Sequence, residues 1–137
     1  MLNNVAVLVA EDQTFIALDL SLAVEDAGGL VVGPVASSRE GLALIAAGSV
    51  GAAIVDMNLV DGESTPLVEA LVGLGVPFII HTAVDLPQAL VARFPALVVQ
   101  TKPCRAAVLV ARLGTMVAGH VRSDVAKSAK KTGQTDS

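Results

Sequence analysis

The chain has 137 residues, enough for one domain with a buried core and too few for two. Hydrophobic residues make up 53 % and aromatics only 2 %, so the core must be aliphatic, and the uncharged runs, such as residues 41–55, fall short of the roughly 20 needed to cross a bilayer. Residues 1–120 carry five Lys/Arg against eleven Asp/Glu, a net of −6, which argues against nucleic acid as a partner.

In chain order, residues 5–10 form a continuous apolar run, the pattern of a strand buried on both faces. Residues 14–27 read as an amphipathic helix closed by Gly28-Gly29. A short second strand at residues 30–32 ends at Gly33-Pro34, and Ser37 or Ser38 caps a helix to Ala47 with Glu40 in its first turn. Residues 52–55 are a third buried strand that delivers Asp56 at its carboxyl end. Residues 57–63 read as a loop, after which Ser64 or Thr65 caps a helix starting at Pro66 and ending near Gly73 or Gly75. Residues 78–81 and 97–99 are the fourth and fifth strands, separated by a short helix within residues 85–94 that Pro87 and Pro95 confine. A last helix runs from about Arg105 to His120, and residues 121–137 read as a polar, frayed or disordered tail beyond a domain of residues 1–120.

Strict alternation of five strands and five helices is the signature of an α/β fold with a doubly wound parallel sheet. Ligands of such sheets bind at the edge where the strand carboxyl ends gather. At that edge the sequence places Glu11 and Asp12 after the first strand, Asp56 after the third, Thr82 after the fourth and Lys102-Pro103 after the fifth. Three converging carboxylates repel one another unless a cation neutralises them, and an all-oxygen set with room for water suits Mg²⁺. A lysine and a hydroxyl beside them supply what phosphoryl transfer needs, namely stabilisation of charge on the equatorial oxygens. Each piece alone reads as an ordinary loop, cap or turn; their joint occurrence in order carries the inference.

The segments Leu8-Val9-Ala10-Glu11-Asp12, Ile54-Val55-Asp56-Met57-Asn58-Leu59, Ile80-His81-Thr82-Ala83 and Thr101-Lys102-Pro103 resemble the receiver-domain signature of two-component response regulators, over residues 5–120. The resemblance implies a flavodoxin-like sheet of order 2-1-3-4-5 and a stand-alone cytoplasmic signalling protein that catalyses only its own phosphorylation and dephosphorylation. By position, Asp56 is the phosphoacceptor. Asp12, Asp56 and the backbone carbonyl of Asn58 hold Mg²⁺, with Glu11 acting through water. Thr82 and Lys102 contact the phosphoryl group, and the Lys102–Pro103 peptide is cis. The implied partners are a histidine kinase or histidine phosphotransfer protein and an unknown downstream protein; nucleic acid and membrane insertion are not implied, and a homodimer is left open.

Four departures accompany the match. Glu11 stands where Asp is commoner, the loop after Asp56 is short and lacks the usual proline, Val99 replaces the usual strand-five aromatic, and the fourth helix is compressed. Pro77-Phe78-Ile79-Ile80-His81-Thr82 partly matches a Pro-Phe-x-Phe-Ala-Thr-Gly motif of some stand-alone receivers, differing at Ile80, His81 and Ala83. A degenerate receiver that binds partners without phosphorylation is the alternative, which Val99 and the short fourth helix favour and the retained Asp12, Asp56, Thr82 and Lys102 oppose. An aspartyl phosphatase of the haloacid dehalogenase type would need an Asp two residues after the nucleophile, where Asn58 stands. His81 alternates away from Thr82 and reads as a packing or surface residue, His120 sits at the end of the last helix, and Cys104, the only cysteine, reads as a small, buried or partly buried side chain.

Overall fold

A computed structural model describes residues 2–135, with side chains described through residue 120. Seven strands and five helices follow in the order β1 (Ala6–Ala10), α1 (Thr14–Asp26), β2 (Leu30–Val35), α2 (Ser38–Ala46), β3 (Ala52–Val55), β4 (Asn58–Leu59), β5 (Gly62–Glu63), α3 (Thr65–Leu74), β6 (Phe78–Thr82), α4 (Gln88–Arg93), β7 (Val99–Thr101) and α5 (Ala106–Thr135). Five strands make one parallel sheet of order β2-β1-β3-β6-β7, the 2-1-3-4-5 arrangement of a flavodoxin-like fold once the hairpin β4–β5 is set apart.

β1 and β3 are apolar throughout, and β6 from Phe78 to Ile80, because both faces of these strands are covered. Alternation along the strands divides their side chains between two layers. Leu8 and Ala10 of β1, Ala53 and Val55 of β3 and Phe78 and Ile80 of β6 join Leu67, Val68 and Leu71 of α3 on one face. Val7, Val9, Ala52, Ile54 and Ile79 meet Leu20 and Val24 of α1 and Leu109, Val110, Leu113 and Val117 of α5 on the other. Burying each of the Val, Leu, Ile and Phe side chains among these contributes on the order of 1.5–3 kcal/mol. Gly41 permits the close approach of α2 to α3, since a Cβ there would lie 2.8 Å from Leu67 Cδ2. Ser37 caps α2: its hydroxyl accepts from Glu40 N at 3.1 Å and donates to Glu40 Oε1 at 3.0 Å.

Four elements differ from the sequence reading. β2 continues through Gly33-Pro34 to Val35, with a register shift between Leu8 and Ala10 of β1 and a cis Gly33–Pro34 peptide. Proline is tolerated there because β2 is an edge strand, whose outer N–H row needs no partner. The loop after Asp56 folds into a two-residue-per-strand antiparallel hairpin, β4–β5, around Val60 and Asp61. β7 pairs through Val99, Gln100 and Thr101 rather than residues 97–99, again as an edge strand that accommodates polar side chains. α5 runs on to Thr135 instead of ending at His120; no proline interrupts residues 121–135, and Gly133 is their only glycine. The side chains of residues 121–137, expected to be a polar tail, lie outside the described residues.

Among the described residues the contribution of α5 to the core ends at Val117. Truncation after His120 is therefore expected to shift the thermal midpoint by no more than about 4 °C. A larger drop in calorimetry would mean that residues 121–137 pack against the domain.

Candidate functional site

The sheet fixes the backbone of the site by hydrogen bonds that continue past the strand ends. Glu11 N donates to Val35 O at 2.9 Å, Asp56 N to Ala10 O at 2.9 Å, and Lys102 N to Thr82 O at 2.8 Å. Glu11 and Asp56 thus follow adjacent strands, β1 and β3, while Lys102 follows β7, with Thr82 of β6 between them. Ser64, at the N-terminus of α3, adds a further tie: its fully buried hydroxyl donates to the Asp56 carbonyl at 2.7 Å. Ser64 caps no helical N–H, contrary to its reading from sequence.

The Lys102 ammonium lies 2.8 Å from Asp56 Oδ2 and 2.8 Å from Glu11 Oε1, and all three side chains are largely shielded from water. The contact with Asp56 is a hydrogen bond. The contact with Glu11 is an ion pair without hydrogen-bond alignment, so Oε1 keeps an unfilled lone pair while Oε2 accepts from Gln13 N at 3.1 Å. Asp56 Oδ1 accepts from Asn58 N at 3.2 Å. Carboxylate oxygens of Glu11, Asp12 and Asp56 all lie within 4.8 Å of one another. Asp12, Asp56, Asn58, Thr82 and Lys102 line one cavity of about 210 Å³. The structure therefore gathers every site residue expected from the sequence.

Burial raises the Glu11 carboxyl to about 7, against the lowering pull of Lys102 and Gln13 and with help from the neighbouring Asp56. Burial alone would lower the Lys102 ammonium, but its contacts with Asp56 and Glu11 outweigh this and raise it. Thr82 Oγ1 accepts from Val84 N at 3.3 Å, which leaves the hydroxyl proton for another acceptor.

Asp61, a further acidic residue of the loop that follows Asp56, is not part of the site. Its Oδ1 accepts from Ser38 N at 2.9 Å and its Oδ2 from Arg39 N at 3.1 Å, so it caps α2 from across the fold. Those backbone donors, Ser38 first, hold its carboxyl below the usual range.

No protein-family model and no curated protein matches the chain. Solved structures do. The response regulator PhyR from Brucella abortus gives a TM-score of 0.74 at 25 % identity over 90 % of this chain, which spans 52 % of that protein's length. SdrG from Sphingomonas melonis Fr1 is 33 % identical with a TM-score of 0.66, over 82 % of this chain and 98 % of its own. A CheY-like response regulator receiver domain protein from Methanospirillum hungatei JF-1 gives 0.78 at 22 % identity, over 88 % of this chain and 98 % of its own. The chain belongs to the receiver-domain family of response regulators.

Within this receiver domain the acidic cluster of Glu11, Asp12 and Asp56 resembles the metal site of the family. The donor set fits a hard divalent cation: three carboxylates converge, and a buried oxygen of Glu11 is short of a partner. The Lys102–Pro103 peptide is cis, as the resemblance implied. Val99 sits half-buried against the α3 layer and opposite Ile80, on the same sheet face as Thr82. His81 points to the other face and is 3 % exposed. Among the described residues no helix is long and apolar enough to cross a membrane.

The displaced Glu11 carboxyl makes stability depend on pH. Between its ordinary value of 4.5 and its folded value of about 7 the folded receiver holds the Glu11 proton more tightly than the unfolded chain. The resulting stabilisation is complete below 4.5 and is lost as pH rises through about 7. In metal-free buffer, Glu11→Gln should remove this part of the decline, so its denaturation midpoint falls less between pH ~5 and ~8 than that of the wild type. Parallel declines in urea titrations would contradict the assigned shift.

Proposed function

We propose that this receiver takes a phosphoryl group onto Asp56 from a phosphohistidine of a histidine kinase or histidine phosphotransfer protein in the cytoplasm, in a Mg²⁺-dependent reaction. The observation that carries the reading is the Lys102 ammonium held 2.8 Å from both Asp56 Oδ2 and Glu11 Oε1, beside the converging carboxylates. A cation so placed serves an incoming phosphoryl oxygen without reorganisation of the sheet.

In the proposed reaction a carboxylate oxygen of Asp56 attacks the phosphorus in line. The new P–O bond forms as the P–N bond breaks, and its electron pair stays on the leaving imidazole. Lys102 exchanges its contact with Asp56 for a phosphoryl oxygen, and the Thr82 hydroxyl donates to another. Asn58 N orients Asp56 from the Oδ1 side. Asp12, Asp56 and the Asn58 carbonyl would hold Mg²⁺, with Glu11 acting through water; the ion would supply positive charge against the phosphoryl oxygens. Thr82 and Lys102 act on the receiver's own phosphoryl group, so the chemistry is self-directed.

The signal then passes by protein contact or by onward transfer to another histidine. PhyR from Bartonella quintana, of which this chain covers 51 %, is described as an anti-anti-sigma factor, and a protein-binding output of that kind is compatible with this reading. Val99 favours a second reading, a receiver that binds its partner without phosphorylation, because it withholds the ring that couples phosphorylation to the surface in its relatives.

Two measurements separate these readings. Asp56→Asn should abolish acid-stable, base-labile incorporation from acetyl phosphate, whereas persistent label would move the acceptor elsewhere. A wild type that takes up no label with Mg²⁺ would favour the binding module. Asp12→Asn should weaken Mg²⁺ binding at least about tenfold, equivalent to about 1.4 kcal/mol. Equal affinities in calorimetric titration would remove Asp12 from the metal site.

A further inference from the structure

Asn58 is carried by a hairpin that its own sequence does little to stabilise. β4 and β5 pair over two residues each, Asn58 with Glu63 and Leu59 with Gly62, and two-stranded hairpins are marginal in water even when longer. The turn residues Val60 and Asp61 lack the positive φ of the favoured two-residue turns, and Val60 is exposed. Met57 and Leu59 are buried, but apolar contact is non-directional and fixes depth rather than orientation. Ser64 closes the base, donating from its N to Met57 O at 2.7 Å and from its hydroxyl to Asp56 O at 2.7 Å. Bonds at the base alone leave the pair free to tilt about it. The tip is held from the start of α2: Val60 N donates to Ala36 O at 3.0 Å, and the Asp61 carboxylate accepts from Ser38 N at 2.9 Å and from Arg39 N at 3.1 Å. Charge-assisted bonds of this kind are roughly twice as strong as neutral ones, and the positive end of the α2 dipole adds to them.

Resting on the reading of Asn58 as a carbonyl ligand of the metal site, we propose that Asp61 is a positioning residue of that site. Its two bonds to the N-terminus of α2 set the tilt of the hairpin, and with it the place of the Asn58 backbone beside Asp12 and Asp56 in their shared cavity. Asp61 touches neither metal nor phosphoryl group; it acts back along β4, through Leu59, on Asn58. Among the described residues it forms no ion pair, so its partners are backbone N–H groups whose positions the helix fixes. Asn58 needs such support, because its own bond into the site, from N to Asp56 Oδ1, is 3.2 Å long, at the weak end of the range. Mg²⁺ demands near-ideal octahedral geometry, so a small displacement of one carbonyl registers in its affinity.

The test uses the unphosphorylated full chain, read by the Asn58 amide in metal-free buffer and by Mg²⁺ affinity in calorimetry. Asp61→Ala should move the Asn58 amide signal and speed its hydrogen exchange while the Val55 amide of β3 keeps its protection. It should also weaken Mg²⁺ binding about tenfold, the scale on which outer supports of a metal ligand act. Ser38→Pro deletes one donor to Asp61 and alters no charge. Proline suits the first position of a helix, and Ser37, extended at φ −135° and ψ 154°, suits the residue before it. This variant should move both readouts in the same direction by a smaller amount, since Arg39 N remains. Asp61→Asn, which keeps one acceptor, should lie between the wild type and Asp61→Ala. An Asn58 amide unmoved in both Asp61→Ala and Ser38→Pro would overturn the proposal. So would Mg²⁺ affinity lost in Asp61→Ala and unchanged in Ser38→Pro, which would reduce Asp61 to a distant charge. A wild type that binds no Mg²⁺ would overturn the metal reading itself, and the metal-free Asn58 amide would still decide whether Asp61 positions it.

Discussion

One ammonium between two buried carboxylates sets the terms for the rest of the molecule. Lys102 Nζ bridges Asp56 and Glu11 at 2.8 Å each, in a place where water reaches little of any of the three side chains. Removing one partner from such a cluster leaves uncompensated buried charge, an effect worth about 3–5 kcal/mol in comparable systems. Glu11 shows how the charge is contained: burial raises its carboxyl to about 7, so the cluster sheds part of its negative charge by holding a proton. A site so arranged is poised to exchange one neutralising partner for another, whether a proton, the lysine or a metal ion.

The sheet exists in a form that makes this cluster repeatable. Parallel strands bring carboxyl ends together in register, and the three cross-strand bonds from Glu11 N, Asp56 N and Lys102 N extend the ladder into the site itself. The strands that deliver Glu11 and Asp56 are central and buried on both faces, so a one-residue slip would exchange their two apolar layers and misdirect each side chain at the edge. Stability and site geometry therefore depend on the same registers, Val7 to Ala10 of β1 against Ala52 to Val55 of β3.

That coupling also explains what the sequence disclosed. The apolar runs ending in Glu11-Asp12 and Asp56 can be read without a structure because β1 and β3 are central and buried on both faces. Edge strands are legible only in part. β2 absorbs Gly33-Pro34 and β7 accepts Gln100 and Thr101, since an edge needs one bonded side and one packed face. The tertiary caps were hidden for a different reason. Asp61 closes α2 from more than twenty residues away, and Ser64 serves the Asp56 carbonyl instead of its own helix. Both residue types signal local capping in sequence, and local pattern holds no trace of the distant donor or acceptor they meet.

The fold also constrains how any event at Asp56 can reach the surface. Thr82 and Val99 lie on the same sheet face, and the path from one to the other runs past Ile80, which is fully buried. An aromatic ring at position 99 could change places with solvent as Thr82 moved; a valine has one χ angle and no ring to swing. What remains free to respond is the segment that follows Thr82: Val84 N is bonded to the Thr82 hydroxyl, so donation of that hydroxyl to a phosphoryl oxygen would pull on the backbone leading into α4. α4 is six residues long and buries only Leu90, which makes it the least anchored helix of the described structure. With a single buried side chain, the segment of residues 83–94 is held by less packing than β7, whose backbone is paired with β6.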